Sequence, residues 1–315
     1  MLLRLIPDDT RIPFIKGRVV AFILSTALII ASVSLFLTKG LNYGIDFEGG
    51  ILIEIRTEPA VELSILRTNL NRIELGDVQI QQFGEPEDVL IRVQRQEGDA
   101  SAQEAAVNKI KASLSELVSG DISYRRVEFV GPKVSGELVA DGVLSVSLAL
   151  LAVLLYIWVR FEWQFGLGAV IALFHDIAIT IGMFALTQLE FNLSIIAALL
   201  TIVGYSLNDT VVVYDRIREN LLKFRKMPIR ELLDLSINDT LTRTVMTSVT
   251  TLIALFALFS FGGEVIRGFT AAMIWGVFIG TYSSIFVAAP LLLLINPRDQ
   301  QVAEEAADEE QPKKA

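Results

Sequence analysis

Asn208 and Asp209 stand inside an apolar run that starts near Leu193 and ends at Tyr214. Asp209 is therefore a carboxylic acid in a stretch that reads as a membrane span. An ionisable side chain at the centre of such a helix costs roughly 2.5–3.5 kcal/mol on insertion scales, so its default reading is functional and a partner is sought. Arg243, at the start of the next apolar run, is the candidate. Asp209 lies about five residues before the inner end of its span and Arg243 about two after the inner start of the next. At about 1.5 Å per residue both fall within roughly 10 Å of one boundary, close enough to meet.

The neighbouring polar residues recur at helical spacing. Thr201, Tyr205, Asn208 and Asp209 do so on one span, and Thr240, Arg243, Thr244, Thr247 and Thr251 on the next. Two such stripes in an apolar bundle suggest a proton or ion path, with Asn208, Thr210 and Thr247 as supporting groups. Interhelical hydrogen bonds worth about 0.6–2 kcal/mol each are the alternative. His175-Asp176, near the middle of another span, is a secondary candidate. Imidazole titrates near neutrality, so the pair suits a relay, and it equally suits a satisfied polar contact that fixes the bundle.

These groups need a helical frame, and the composition supplies one. The 315 residues are 52% hydrophobic and 20% charged, with a mean hydropathy of +0.53, far too apolar for an ordinary soluble domain of this size. The formal net charge of −9 is concentrated between Lys39 and Lys133 and in the C-terminal tail, and implies no nucleic acid. Without cysteine there is no disulfide framework or thiolate metal site. A single histidine, His175, excludes a multi-histidine metal centre. No hydrolase, kinase or redox constellation is present, and the glycine-rich pieces lack the Lys-Ser/Thr ending of a phosphate loop. Neither enzyme activity nor a cofactor or metal is expected.

The first apolar run, Val19 to Leu37, follows Arg4, Arg11, Lys16 and Arg18. It reads as a retained helix with a cytoplasmic N-terminus. Five further spans are expected at Ser135–Val159, Phe165–Leu186, Leu193–Tyr214, Leu241–Phe261 and Gly268–Leu294, each long enough for a core about 30 Å thick. The connector Asp215 to Asp239 carries Arg216, Arg218, Lys223, Arg225, Lys226 and Arg230, which places it and both termini in the cytoplasm. Its apolar Ile217, Leu221, Phe224, Leu232, Leu233 and Leu235 suggest a surface-lying helix interrupted at Pro228. Trp158 and Trp163 fit an interfacial belt. Glu137 and Asp141 read as a solvated helix end. Gly276, Gly280 and Ser284 read as a close-packing face without chemistry.

Between the first two spans the pattern changes. Ile51–Arg56 reads as a strand. Val61–Ile73 reads as a helix with Leu63, Leu66, Leu70 and Ile73 on one side. Val78–Gln81 and Val89–Val93 read as strands across a turn region at Gly84–Asp88. A second helix is expected from Ser101, with Glu104 completing a capping box, to Gly120, and a last strand at Ile122–Val130. That order is a ferredoxin-like split unit. The expectation is thus an α-helical membrane protein of six transmembrane helices with an α+β ferredoxin-like periplasmic domain between helices 1 and 2. The divisions are 1–38, 39–134, 135–295 with the amphipathic connector 215–239, and a disordered acidic tail, 296–315.

Gly44-Ile45-Asp46-Phe47-Glu48-Gly49-Gly50, His175-Asp176, Val203 to Thr210, Tyr214 to Asn220, Arg243-Thr244 and Phe261-Gly262-Gly263 together resemble the SecF family. The resemblance spans about Lys39 to Leu294, and its specificity lies in the combination. It implies half of a twelve-helix unit of the resistance-nodulation-division type, completed by SecD beside the Sec channel. It implies an inner-membrane protein of bacteria that uses the proton gradient to draw an unfolded preprotein across, with Asp209 and Arg243 in proton passage and a further acidic partner on SecD. A proton-coupled exporter half for small lipophilic molecules, predicting an apolar substrate pocket, and a non-catalytic scaffold of the channel complex are the alternatives.

Overall fold

The computed structural model describes residue 7 and residues 10–295, apart from 77, 97, 99 and 119. The expected tail, 296–315, lies outside the described residues. Among them, six helices are long and apolar enough to cross a membrane, at Phe14–Lys39, Val134–Arg160, Trp163–Thr187, Leu193–Lys223, Ile229–Phe261 and Arg267–Ile295. The described residues fall into two units. A helical unit takes residues up to Leu41, Ser147–Leu189 and those from Ala197 onward. A sheet-bearing unit takes Asn42–Val146 and Glu190–Ile196.

The sheet-bearing unit begins with β1 (Asn42–Tyr43) and the short α2 (Ile45–Glu48), followed by β2 (Gly50–Glu58), α3 (Leu63–Leu70), β3 (Val78–Phe83), β4 (Glu85–Val93), α4 (Ala100–Leu117) and β5 (Asp121–Val130). The main sheet is antiparallel throughout, in the order β3-β4-β2-β5. This is the ferredoxin-like arrangement. Alternation along each strand places Ile51, Ile53, Ile55, Ile80, Val89 and Ile91 on one face. There they pack on Leu66 and Leu70 of α3 and on Ile110 and Leu114 of α4. Helix α4 starts one residue ahead of the expected cap, so Ser101 lies within its first turn.

The expected turn region at 84–88 shrinks to Gly84, and the residues after it extend β4. The reason lies on the β2 side of the strand. Asp88 stands opposite Arg56 in the ladder and receives Nε and Nη2 of its guanidinium at 2.8 and 2.6 Å. On the β3 side the register breaks between Gln82 and Phe83, beside Pro86, which has no N–H to donate. The irregularity read in the sequence is therefore a one-sided bulge.

These hydrogen bonds from Arg56 hold the Asp88 carboxyl below the usual aspartate range. A depressed folded-state value means the pair's stabilisation is fully present above the ordinary value of about 3.9, and is lost as pH falls through the folded-state value. The expected result for Asp88→Asn is faster amide exchange along β2 and β4 at neutral pH. The gap to the parent closes in acid, and amide exchange read across a pH series checks it.

At the start of β2, Gly50 has φ +123°, and a Cβ there would lie 2.6 Å from the Val93 carbonyl oxygen. The glycine pair closes α2 onto the sheet.

The helical unit comprises α1 (Arg18–Lys39), the C-terminal part of α5 (Pro132–Arg160), α6 (Trp163–Thr187), most of α7 (Leu193–Lys223), α8 (Ile229–Phe261), α9 (Arg267–Ser283), a π-helical turn at Ser284–Ala288 and α10 (Ala289–Ile295). Half or more of the apolar stretch of α6, α7 and the α9–α10 helix is buried, whereas α1, α5 and α8 bury under a fifth of theirs. Leu148, Leu151, Leu155, Ile253 and Phe256 are among the apolar side chains left exposed, as a lipid-facing surface requires.

The connector has the expected interruption at Pro228: α7 runs to Lys223, 224–228 leaves the helix, and α8 starts at Ile229 with Pro228 at its N-cap. Ile217, Leu221, Leu232 and Leu233 are fully buried in one core with Ile15, Phe165 and Tyr214. Their apolar faces close on each other as a helical hairpin, while Leu222 stays exposed. Asp234 accepts a hydrogen bond at 2.8 Å from the Ile15 backbone N–H, which ties the N-terminal 3-10 turn Phe14–Gly17 to α8.

A contact absent from the sequence reading sits at the head of α7. Glu190–Phe191, here β6, pairs in parallel with β1, and Glu190 meets Arg92 at 2.8 Å. The Asp46 carboxylate accepts the Leu193 backbone N–H at 2.8 Å, satisfying a free donor of the first turn of α7. Loss of such a cap costs about 0.5–2 kcal/mol. Asp46→Ala is therefore expected to fray this turn, raising amide exchange at Leu193 to Ile195 while the main sheet stays protected.

Candidate functional site in the helical unit

The side chains that carry charge in the bundle come from α6, α7, α8 and the α9–α10 junction. Helix α7 places Asp209 inward, 6% exposed. Thr244 of α8 donates its hydroxyl to Asp209 Oδ1 at 2.8 Å, and Ser284 donates to Oδ2 at 3.4 Å. Glycine lets the helices approach there. A Cβ on Gly280 would come within 3.0 Å of Ser206, and one on Gly276 would overlap the Ile202 side chain.

The expected direct pair of Asp209 with Arg243 is not formed. Among the described residues no ion pair joins them, and the Arg243 side chain is exposed. Successive residues on a helix point about 100° apart. Because Thr244 faces Asp209, its neighbour Arg243 is turned to the rim of the same helix. The guanidinium acts on the carboxylate through its field alone.

The two expected polar stripes divide in the same way. Asn208 is exposed, one step round α7 from Asp209, and Thr201 is exposed a further two turns along. Thr210 is buried. Thr247 turns its hydroxyl back to the Arg243 and Thr244 carbonyls of its own helix, and Thr251 does the same to Thr247. Besides Asp209, Tyr205 of the α7 stripe crosses to α8, donating to Ser248 Oγ at 3.4 Å, and Ser248 meets Thr281 at 2.7 Å.

His175 and Asp176 are each 1% exposed and bond to one another, Nδ1 to Oδ1 at 2.9 Å. Ser206 of α7 and Ser283 of α9 both donate to Asp176 Oδ2, at 2.5 and 2.8 Å. On its other side His175 Nε2 meets Ser25 of α1 at 3.1 Å, and Ser25 meets the Tyr282 hydroxyl at 3.0 Å. Tyr282 in turn donates to the Ala21 carbonyl at 3.1 Å.

Sequence reasoning missed Ser25, Ser206, Tyr282, Ser283 and Ser284. Ser206 stands one helical turn before Asp209 and was legible on that ground. Ser284 was read as packing only, and Ser25 gave no signal, because a lone serine in an apolar helix ordinarily bonds its own backbone.

The whole pattern has close relatives. The family model described as SecD/SecF protein export membrane protein, C-terminal, matches residues 109–298, and the SecD/SecF GG motif matches residues 34–61. The chain is 48% identical over 305 residues to the protein translocase subunit SecF of Rhodobacter capsulatus, covering 93% of this chain and 91% of that one. It is 46% identical over 301 residues to that of Rickettsia felis, covering 94% and 96%. The crystal structure of SecDF, a translocon-associated membrane protein from Thermus thermophilus, matches with a TM-score of 0.82 at 38% identity. That match covers 93% of this chain but 40% of the solved one. A structure of SecDF in a super-membrane-facing form matches with a TM-score of 0.68, covering 95% and 40%. With relatives of this identity over nearly its whole length, the chain belongs to the SecF family of protein translocase subunits.

Proposed function

We propose that this chain, together with SecD, uses the proton gradient across the bacterial inner membrane to promote export of unfolded polypeptide through the Sec channel. It does so as a transport subunit and not as an enzyme. Asp209 carries the proton, and Arg243 sets the field in which it is exchanged. The observation that carries this reading is a carboxylate in a membrane span, 6% exposed, held by two hydroxyls, with a guanidinium on the adjoining rim. A group so placed is expensive to bury and is ordinarily kept for ion or proton passage.

SecD is the partner because Thr201, Gly204, Asn208 and Arg243 lie exposed along one side of α7 and α8. A Cβ on Gly204 would meet nothing within 4 Å. Small and polar groups on a membrane surface suit a second helix bundle better than lipid, and a carboxylate from that bundle would complete the charge of Arg243. The lipid bilayer covers the remaining apolar faces. Asn208, Thr210 and Thr247 serve as polar support to the relay.

The basic residues at the N-terminus and between Arg216 and Arg230 place both termini and the α7–α8 hairpin in the cytoplasm, and residues 39–134 in the periplasm, where the emerging preprotein is met. The test is translocation into vesicles containing this chain, SecD and the channel, with and without a proton gradient. The gradient-dependent increment is expected to vanish in Asp209→Asn, and its persistence would overturn the assignment.

A further inference from the structure

We propose that His175 and Asp176 form a second proton-binding pair, which exchanges its proton through Ser25 and Tyr282 and is linked to Asp209 by Ser206 and the adjoining serines Ser283 and Ser284. The link to transport rests on the proton reading of Asp209. The pair's own proton chemistry does not.

The argument is an accounting of hydrogens. Ser206 has one hydroxyl proton and aims it at Asp176 Oδ2, which Ser283 also reaches while having the Gly280 carbonyl as a second acceptor at 3.1 Å. That oxygen is an acceptor and holds no proton. Any proton on the carboxyl side of the pair therefore lies on the 2.9 Å line between Oδ1 and Nδ1.

The far side of the ring fixes the rest. Tyr282 gives its single proton to the Ala21 carbonyl, so Ser25 must give its own to Tyr282 Oη, and His175 Nε2–H must then donate to Ser25. With Nε2 protonated, one proton remains for Nδ1 and Oδ1 to share. The pair is then neutral overall, as suits side chains 1% exposed in an apolar bundle.

A second arrangement is reached when the Tyr282 hydroxyl turns from the Ala21 carbonyl and protons transfer along the same chain. The Nε2 proton passes to Ser25, the Ser25 proton to Tyr282, and the Tyr282 proton to a water at the partly exposed side of that ring, forming hydronium. Ser25 is left donating to Nε2 and Tyr282 to Ser25. Nδ1–H now donates to an ionised Asp176. One O–H or N–H bond breaks and one forms at each step, and the pair has lost one proton and gained one negative charge. Tyr282 is held for this task, with its ring stacked on His175 at 5.9 Å and on Phe286 at 5.3 Å.

The link to Asp209 is local. Ser206 and Asp209 are one turn apart on α7, and Ser283 and Ser284, consecutive in sequence, bond Asp176 and Asp209 respectively. A π-helical turn begins at Ser284. Such turns are frequent at functional sites, and here the turn starts at the serine that bonds Asp209, next to the one that bonds Asp176. The titratable or charged groups facing the pair are Asp209 from α7 and Tyr282 from α9, with Arg243 of α8 beyond Asp209. Helix α1 offers Ser25 and Ser32, both uncharged. Two carboxylates ionised together in this space repel, so a proton gained by one eases loss from the other.

His175 is the only histidine in the chain, which makes the test direct. The full chain, labelled with nitrogen-15 histidine and reconstituted with unlabelled SecD, gives a single imidazole in the nitrogen NMR spectrum. The expected result is a change of tautomer or protonation across a pH series, with its midpoint displaced in Asp209→Asn and the displacement lost when Ser284→Ala is added. Tyr282→Phe, which keeps the stacked ring, is expected to slow proton exchange at Nε2 on the order of tenfold or more. One unchanging imidazole state across the range would overturn the proposal and leave a purely structural polar contact. A titrating His175 indifferent to Asp209→Asn would overturn the link alone. Failure of the Asp209 reading itself would show separately, as unchanged gradient-dependent export.

Discussion

Asp209→Asn is expected to remove the whole gradient-dependent part of polypeptide export while leaving the gradient-independent part in place. Asparagine matches aspartate in shape and keeps an oxygen for the Thr244 hydroxyl, so the contact at 2.8 Å survives. What it loses is the ability to take up and release a proton. One charge moved through 100 mV is worth about 2.3 kcal/mol, so a few protons suffice to drive a modest conformational shift and one does little. A variant that passes none has no source of that work. The measurement is the rate of preprotein protection in vesicles before and after an uncoupler is added. In the parent the uncoupler is expected to slow transport, and in the variant to change nothing. A variant still slowed by the uncoupler would assign proton passage elsewhere, and Asp209 would then be a structural acceptor for α8 and the π turn.

The second large effect is steric. Gly182 of α6 packs on α1, where an added Cβ overlaps Ser32 Oγ and Cβ and lies 2.7 Å from Ser32 Cα. A flexible side-chain end would rotate aside, but a helix backbone does not. Overpacking of this kind costs about 1–3 kcal/mol, and backbone contact puts Gly182→Ala at the upper end of that range or beyond. The expected result is a clearly lower midpoint of thermal aggregation in detergent and poor recovery of monodisperse protein. Gly204→Ala is the control, since its Cβ would meet nothing within 4 Å, and it is expected to melt with the parent. Equal melting of the two variants would refute the packing of α1 on α6.

Much of this protein was readable along the chain because its largest signals are local. An apolar run long enough to span a bilayer is a property of consecutive residues, and so is the alternation of Ile51, Ile53 and Ile55 that gives β2 a buried face. Asp209 declared itself by standing inside such a run, where its cost is the same whatever packs beside it. The Gly84–Asp88 stretch was misjudged because Asp88 finds Arg56 thirty-two positions earlier in the chain, a contact that composition does not announce.

The sequence by itself therefore determined which helices are long and apolar enough to cross a membrane and which carry charge, since burial cost and helical rise depend on residue type and count. Only the tertiary structure decided which side chain of each helix meets which. A rotation of about 100° separates Thr244, which touches Asp209, from Arg243, which does not. The same geometry gathers Ser206, Ser283 and Ser284 around two carboxylates and Ser25 onto His175, because the azimuth of each helix is set by how glycines and bulky side chains of its neighbours fit together.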